Sequence, residues 1–323
     1  MARKGIARLK QRSSVNGAIC NILTIMHKKY KRVEFDNNPD LICFDNGVFE
    51  LPTVDKPNHQ CFRQGKREDF ISKTTGYSYK PAEQETLYNE FKDVIYKIMP
   101  DVQVRSILFQ VLGSCLVGAV LEHFIILTGC GRNGKDVINS LLEQTLGADF
   151  YISPSTNLIM QESKTEINQE LANTDKKRAI LVNEPNCKQQ LKNSIIKKIT
   201  GGQTQSGRAL YSTKTSIKCH ATTMMQCNAV PDMDNIDEAQ FERLIIIHFK
   251  AMFRSAERIA ELGADTPNLH LLDAKYKSSK WIKSNRSNMF QMMVEGLTDM
   301  YVQNGTYAIT KLPECIKISV NPW

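Results

Sequence analysis

The sequence predicts an α/β fold in which helices flank a parallel sheet. A short apolar run from Phe124 to Leu127 leads directly into a glycine-rich loop. Residues with helical spacing then follow from Val137 to Leu146 and end at Gly147. Strand-like and helix-like stretches continue to alternate to about residue 250, as in a parallel sheet covered by helices. We therefore expect an α/β core with a helical N-terminal region and a helical C-terminal extension.

Four regions are predicted along the 323-residue chain. The first begins with a helix-like stretch and continues with two strand-like stretches around the turn signal Asp45-Asn46-Gly47, which indicates a small α+β region. The last contains a methionine-rich amphipathic stretch from Trp281 to Leu297, interpreted as core packing rather than a binding surface. The regions are the α+β region at 1–85, a helical collar at 86–120, the core at 121–250 and the helical extension at 251–323.

Composition narrows the choice of partners and compartment. The formal net charge of +8 suggests a polyanionic partner, although many proteins without one carry a similar excess. The nine cysteines include no Cys-x-x-Cys pair and no cluster with histidines at metal-ligand spacing, which argues against a zinc site. Asn16 and Asn21 interrupt the apolar N-terminal stretch, so we interpret it as an amphipathic helix rather than a secretory leader. No run reaches the roughly 20 apolar residues of a membrane span. We expect a cytoplasmic protein that is neither secreted nor bound to a membrane.

The stretch from Gly129 to Asp136 matches the phosphate-binding pattern Gly-x-x-x-x-Gly-Lys-[Ser/Thr] everywhere except at its last position. Its glycines let successive backbone N–H groups turn toward a phosphate, and the helix N-terminus favours negative charge. Lys135 would reach the terminal phosphates. The alternative is a glycine-rich turn with an exposed lysine, which the strand before it and the helix after it argue against. The predicted ATP-binding residues are Gly129, Gly131, Asn133, Gly134, Lys135 and Asp136.

Asp136 stands where a hydroxyl usually binds the magnesium ion of the nucleotide. A carboxylate can ligate Mg²⁺ directly, and we predict that role for Asp136. Its negative charge near the triphosphate also introduces a repulsion on the order of a few kcal/mol near 4 Å, unless the metal neutralises it. Weakened ATP use is therefore an open alternative.

Three polar residues at the ends of apolar runs are further candidates. Glu184 follows the run 179–183 and is a candidate metal ligand and general base, although a solvated acid fits the spacing equally well. Asn228 follows the run 222–227 and is a candidate sensor of the γ-phosphate, although turn chemistry is commoner there. Arg243 opens the run 243–249 and is a candidate for stabilising charge on a neighbouring subunit's nucleotide. The alternative for Arg243 is a surface salt bridge.

Between Glu184 and Asn228 the sequence predicts an amphipathic helix from Leu191 to Ile199, ended by Gly201-Gly202, and then a hairpin. If the hairpin lies over a channel, its cations would follow the phosphates of single-stranded DNA without reading its sequence. Elsewhere they would form a solvated face. The predicted DNA-binding residues are Arg208, Lys214 and Lys218.

In their order and spacing these motifs resemble the superfamily 3 helicases, specifically the helicase part of the primase-helicases of phages and large DNA viruses of eukaryotes, including poxviruses. The resemblance covers most of residues 12–310. The matching stretches are Asn46-Gly47-Val48, Thr74-Thr75-Gly76-Tyr77, Gly129 to Lys135, Glu184-Pro185, Ile196 to Gly202, Arg208 to Tyr211, Asn228 and Arg243.

This resemblance implies a P-loop, AAA+-like ATPase that uses ATP and Mg²⁺, assembles as a homo-hexameric ring and moves along one DNA strand during viral or phage replication. Lys135 and Glu184 would act on the subunit's own ATP, and Asn228 would be the sensor. Arg243 would act in trans, and Lys214 would lie near the tip of the hairpin in the channel. The place of action would be the cytoplasm or a viral replication site in the host cell.

Three positions depart from the family pattern: Asp136 replaces the hydroxyl, Asn183 leaves Glu184 without an acidic neighbour, and Glu242 stands where a second arginine is common. The chain has no room for the primase often fused to this module, so primer synthesis is not predicted. The chain is then either a fragment of a longer protein or a partner of a separate primase or other replication proteins. Two alternatives stay open. One is a DNA-binding or loading protein in which Asp136 has ended turnover, and the other is a P-loop ATPase with a different task.

Overall fold

The structure is a computed structural model that falls into two units. The larger comprises Asn38–Gly65 and the chain from Lys73 onward. The smaller comprises the chain up to Asn37 together with Lys66–Ser72. The residues that the structure describes are 17, 19–22, 34–81, 85–160, 169–183, 190–202, 204–206, 216–233, 242–263 and 265–316.

In the smaller unit, Asp36 joins two segments that are distant in sequence. Its N–H donates to the carbonyl oxygen of Phe70 at 2.8 Å, and its carboxylate accepts from the backbone N–H of Ser72 at 2.7 Å. The rings of Phe35 and Phe70 meet edge to face with their centroids 6.2 Å apart. Residues 17 and 19–22, within the predicted N-terminal helix, are helical.

The described strands of the larger unit are short, between two and five residues long. They are β1 Leu41–Phe44, β2 Gly47–Glu50, β3 Cys61–Arg63, β4 Phe124–Thr128, β5 Tyr151–Ile152, β6 Ala179–Asn183, β7 Thr204–Ser206, β8 Ser216–Lys218, β9 Thr222–Gln226, β10 Leu244–His248, β11 Met252–Arg254 and β12 Leu269–Leu271.

The helices described in this unit include the two of the predicted collar, α1 and α2. None of the helices in the described residues is long and apolar enough to cross a bilayer. They are α1 Glu85–Ile98, α2 Val102–Ser114, α3 Lys135–Phe150, α4 Asn157–Met160, α5 Gln169–Ala172, α6 Asn193–Thr200, α7 Ala256–Leu262, α8 Ser279–Ser284 and α9 Arg286–Asn304, with a 3-10 turn at Ala274–Lys277.

The central sheet has the strand order β10-β4-β9-β6-β5, and every pair in it is parallel. The prediction of a parallel α/β core is therefore confirmed. Along β4, Phe124 and Ile126 pack into one apolar cluster, whereas Ile125 and Leu127 pack into the cluster on the opposite face. Because both faces are covered, the strand is a continuous apolar run rather than an alternating one.

Two further sheets lie outside this core. β1 and β2 pair as the antiparallel hairpin that the turn signal predicted, and β3 extends it. β11 and β12 form a parallel pair after the core, where the sequence pattern indicated only helices. Strands of three residues give too few positions for alternation to be recognised.

The collar and the C-terminal extension meet where α2 crosses α9. A Cβ atom at Gly296 would lie 2.0 Å from the carbonyl oxygen of Phe109, and one at Gly113 would lie 2.4 Å from the backbone nitrogen of Leu297. Glycine is therefore what allows the two helices to approach this closely. Met289 and Met293 of α9 are fully buried, which confirms that the methionine-rich stretch is core packing.

Candidate nucleotide-binding site

The glycine-rich loop lies at the C-terminal end of β4 and leads directly into α3. Gly129 and Gly134 have φ of 139° and 91°, values that favour glycine. A Cβ atom at Gly129 would lie 2.5 Å from the carbonyl oxygen of Phe249. In the described part of the chain, the N–H groups of residues 131–134 donate to no protein acceptor. The loop therefore presents free donors at a helix N-terminus, as an anion site requires.

The strand β11 and the residues before it hold this loop in place. The N–H of Phe253 donates to the carbonyl oxygen of Arg132 at 2.9 Å, and Arg132 itself has a φ of 63°. The buried amide of Asn133 donates from Nδ2 to the carbonyl oxygen of Phe249 at 3.4 Å and accepts from the N–H of Lys135 at 3.2 Å. Asn133 therefore shapes the loop from within.

Lys135 is only 4% exposed, and its ammonium group joins the loop to the next strand of the sheet. Nζ donates to the carbonyl oxygens of Gly129 and Cys227, the latter at 2.8 Å, and lies 3.4 Å from Oδ1 of Asn228. The structure thus brings Lys135 and Asn228 together, as the sequence predicted. The ammonium group lies at the C-terminal edge of the sheet, where ligands of open α/β sheets bind.

The carboxylate of Asp136 is held from two sides by residues that no sequence motif indicated. Gln226, at the end of β9, donates from Nε2 to Oδ1 at 2.9 Å, and Lys277, in the 3-10 turn, donates from Nζ to Oδ2 at 3.0 Å. Burial would raise the pKa of Asp136, but the hydrogen bond and charge of Lys277, the hydrogen bond from Gln226 and the charge of Lys135 together lower it. Asp136 is therefore ionised at neutral pH.

The strand β6 ends at Asn183, which lies in register with Gln226. Asn183 accepts from Nδ2 of Asn139 at 3.5 Å and donates to Oγ of Ser153 at 3.0 Å. The candidate Glu184 follows Asn183 directly and lies outside the described residues, so its role stays a prediction.

Arg243 lies where the strands begin. This N-terminal edge of the sheet is opposite to the C-terminal edge, where Lys135 lies. The carbonyl oxygen of Arg243 accepts from the N–H of Phe124, the first residue of β4, whereas Lys135 comes after the loop that follows Thr128, the last residue of β4. A strand of five residues separates these edges by roughly 17 Å. Within the described residues Arg243 forms no ion pair, so the surface salt bridge considered as its alternative is not seen there. It cannot reach the loop of its own chain.

The predicted hairpin lies at this same edge. β7 and β8 pair antiparallel, with Thr204 opposite Lys218, which confirms the base of the hairpin. Lys218 is exposed and lies four residues before Thr222, the first residue of β9. The other two DNA-binding candidates, Arg208 and Lys214, lie outside the described residues.

A cavity of about 220 Å³ adjoins the glycine-rich loop. This is below the roughly 300 Å³ of a site for a drug-sized ligand, so the cavity by itself is too small for a whole nucleotide. Its lining is mainly apolar and includes two aromatic rings, with Gly134 and Lys277 at the side of the loop. The apolar lining residues include Val94, Ile98, Val137, Phe253 and Tyr276.

These residues fit a magnesium nucleotide. The free N–H groups and Lys135 suit the phosphates, and the cavity suits the base. The described residues contain no group of three or more acidic, histidine or cysteine side chains that could hold a metal by themselves. Mg²⁺ bound with a nucleotide needs only one or two protein carboxylates beside phosphate oxygens and water. Asp136 satisfies this requirement.

Comparisons with known proteins found similar proteins in large DNA viruses. The family described as D5 N terminal like matches residues 2–100. A protein of Acanthamoeba polyphaga mimivirus, named as helicase L207/L206, is 32% identical over 254 residues, which cover 77% of this chain and 26% of that protein. Primase D5 of fowlpox virus is 24% identical over 238 residues, covering 70% of this chain and 29% of that protein.

This chain is thus similar to proteins of large DNA viruses, primase D5 of fowlpox virus among them. The predicted resemblance to viral primase-helicases is therefore confirmed. The chain spans between about a quarter and a third of the length of these relatives. Among solved structures, the apo form of the NrS-1 C-terminal region has a TM-score of 0.50 at 12% identity, covering 84% of this chain and 60% of that one. At this identity the likeness concerns the fold alone, and it agrees with the α/β core.

Proposed function

We propose that this chain is the ATPase motor of a viral DNA helicase, a ring that hydrolyses ATP with Mg²⁺ to move along single-stranded DNA. The observation that carries the proposal is the position of Lys135. Its buried ammonium group lies between a loop with free N–H donors and the polar end of the neighbouring strand at Cys227 and Asn228. A phosphate bound at the loop would lie beside the loop N–H donors, the ammonium group of Lys135 and the polar end of the neighbouring strand.

The residues divide the work of hydrolysis in this proposal. The loop and Lys135 bind and orient the phosphates, the apolar cavity takes the base, and Asp136 with Glu184 holds the metal. When bound, Mg²⁺ would offset charge that develops on the transferred phosphoryl group. Asn228, with its side chain beside Nζ of Lys135, would position the attacking water or sense the γ-phosphate. Glu184 would accept a proton from that water.

The placement of Arg243 supports action between subunits. Because it lies at the far edge of the sheet, it would complete the site of an adjacent subunit and not that of its own chain. The hairpin base lies at the same edge, so DNA contacts from Lys218 would be made away from the nucleotide. Arg208 and Lys214 would contact DNA as well. This arrangement is consistent with a homo-hexameric ring around one DNA strand, acting with a primase or other replication proteins.

The experiment is ATP hydrolysis by the purified chain with and without single-stranded DNA, compared with the Lys135→Ala variant. We expect turnover that DNA stimulates and that Lys135→Ala abolishes. Lys280→Met, which changes an exposed lysine of α8 whose side chain forms no hydrogen bond or ion pair with the described residues, is the matched control and should behave as the native chain. DNA that neither binds nor stimulates hydrolysis would contradict the helicase assignment.

A further inference from the structure

The ion pair between Asp136 and Lys277 joins the phosphate-binding loop to a turn that is 141 residues away in sequence. Both side chains are more than half exposed, at 62% and 56%. An exposed pair of this kind adds little to folding stability. Folding stability therefore does not explain the presence of this ion pair. Its position beside the phosphate site points instead to a role in nucleotide binding.

The charges around the loop show what Lys277 contributes. A loop of the usual sequence ends in a lysine and a hydroxyl and carries one positive charge. In this chain Asp136 cancels the charge of Lys135, and Lys277 restores it. Since like charges within a few ångström repel strongly at intermediate dielectric, an uncompensated Asp136 would oppose a triphosphate at the same loop.

Lys277 is held at this position by its surroundings. The 3-10 turn that carries it begins at Asp273, whose side chain accepts from the N–H of Lys275 at 2.9 Å. It ends at Ser278, whose hydroxyl accepts from the N–H of Trp281 at 3.3 Å and so begins α8. Within the turn, the ring of Tyr276 packs edge to face on Trp281 with centroids 5.2 Å apart.

Gln226 gives a second, independent indication that this is a built site. It is only 5% exposed, and its Nε2 bonds to Asp136, yet its Oε1 has no partner among the described residues. Buried amide oxygens normally have a donor. Its Nε2 fixes one oxygen of the carboxylate and Lys277 fixes the other, so the carboxylate is oriented as well as neutralised.

We infer that Lys277 is a nucleotide-positioning residue, the counter-ion that lets a phosphate-binding loop with aspartate at its last position accept a triphosphate. The inference rests on the proposed function, because it assumes that ATP binds at Lys135. A residue of the C-terminal region would then contribute directly to the net charge of the nucleotide site.

The test measures the Kd of ATP and of ADP by isothermal titration calorimetry on the full chain, in buffer with EDTA so that no metal contributes. Lys277→Met should weaken ATP binding about tenfold, equal to about 1.4 kcal/mol, and ADP binding less, because ADP carries less negative charge. Adding Asp136→Ser to Lys277→Met should restore the native affinity for ATP, since the net charge is then restored. Lys280→Met should bind both nucleotides as the native chain does.

The outcomes separate this inference from the proposed function. If the native chain binds ATP and Lys135→Ala does not, but Lys277→Met matches the native chain, only the inference is overturned. It is also overturned if Lys277→Met weakens ATP and ADP equally and Asp136→Ser gives no rescue, since Lys277 then acts as a wall of the cavity. If the native chain binds no ATP even with Mg²⁺, the proposed function and the inference both fail.

Discussion

The ammonium nitrogen of Lys135 lies 2.8 Å from the carbonyl oxygen of Cys227, so the phosphate-binding loop and the end of β9 are joined through one buried cation. Asn228, the next residue, also places its side-chain oxygen 3.4 Å from that nitrogen. Under the proposed function, binding and sensing would fall to neighbouring atoms, and substitutions can separate the two roles.

Lys135→Met and Asn228→Ala should have different kinetic effects. Lys135→Met removes the buried cation and should weaken ATP binding at least about tenfold. Asn228→Ala removes only an exposed amide and should leave the Kd of ATP within about twofold while lowering kcat at least about tenfold, as loss of a group that acts on the attacking water does. Calorimetry gives the first quantity and steady-state kinetics the second. An Asn228→Ala chain with native kcat would show that Asn228 serves only the turn.

Gly134→Ala and Gly131→Ala form a matched pair within the loop. At Gly134 a Cβ atom would lie 2.7 Å from the side chain of Ile98, at a φ of 91°. At Gly131 it would meet nothing within 4 Å. Gly134→Ala should therefore lower the free energy of unfolding by about 1–3 kcal/mol, and Gly131→Ala by less than about 0.5 kcal/mol. Urea denaturation followed by circular dichroism measures both. Equal losses would mean that the described loop geometry is wrong.

Gly296→Ala should destabilise the contact between α2 and α9. The added methyl would overlap the carbonyl oxygen of Phe109, and backbone cannot move aside as a side chain can. We expect a loss of about 2–4 kcal/mol in the free energy of unfolding, the range for a severe overpacking defect. Val302→Ala, at a position of α9 that is 60% exposed, is the control and should change it by less than about 0.5 kcal/mol. Thermal and urea unfolding of the two variants, compared side by side, decide the matter.

The stability of the protein should decrease as the pH falls below neutrality. Burial lowers the pKa of His123, the charge of Glu122 raises it and that of Arg243 lowers it, with a net shift downward. The unfolded chain, in which a histidine has a pKa of roughly 6.5, therefore binds a proton more readily than the folded chain. The contribution of His123 is complete above that value and is lost as the pH falls through it, until the folded-state pKa is passed.

Urea unfolding at a series of pH values from 7.5 to 5 tests this, taking roughly 6.5 as the pKa of the unfolded state. His123→Gln, which does not titrate, should reduce the slope of unfolding free energy against pH. His248 and His270, whose pKa burial also lowers, account for part of the slope that remains. An unchanged slope in His123→Gln would exclude His123 as a source of the pH dependence.

The local features of this fold could be predicted from sequence because they depend on neighbours along the chain. The run from Phe124, the glycine-rich loop and the helix after it form one continuous segment, and the turn at Gly47 joins two strands directly. Periodicity and turn residues therefore placed these elements. The proximity of Asn228 to Lys135 also followed, since the carboxyl ends of parallel strands meet at one edge.

The residues that the sequence did not indicate act over long distances in the chain. Lys277 is one of many exposed lysines, and only the fold places it beside Asp136. Gln226 is the last residue of β9. Its place beside Asp136 depends on the order of the strands in the sheet, which the sequence pattern does not reveal. The three-residue strand β11, whose Phe253 bonds to the loop at Arg132, is too short for any pattern to reveal. The predicted roles of the candidate site residues all stay predictions, and Glu184, Arg208 and Lys214 also lie outside the described residues.

The position of Arg243 at the far edge of its own sheet has a genetic consequence under the proposed ring. A chain with Arg243→Ala keeps an intact loop and cavity of its own, and it assembles with native chains. The nucleotide site of the adjacent native chain then lacks its arginine, so that native chain is inactive as well. When both forms are produced in one cell, the altered form should therefore be dominant, and a minority of altered chains should stop most rings.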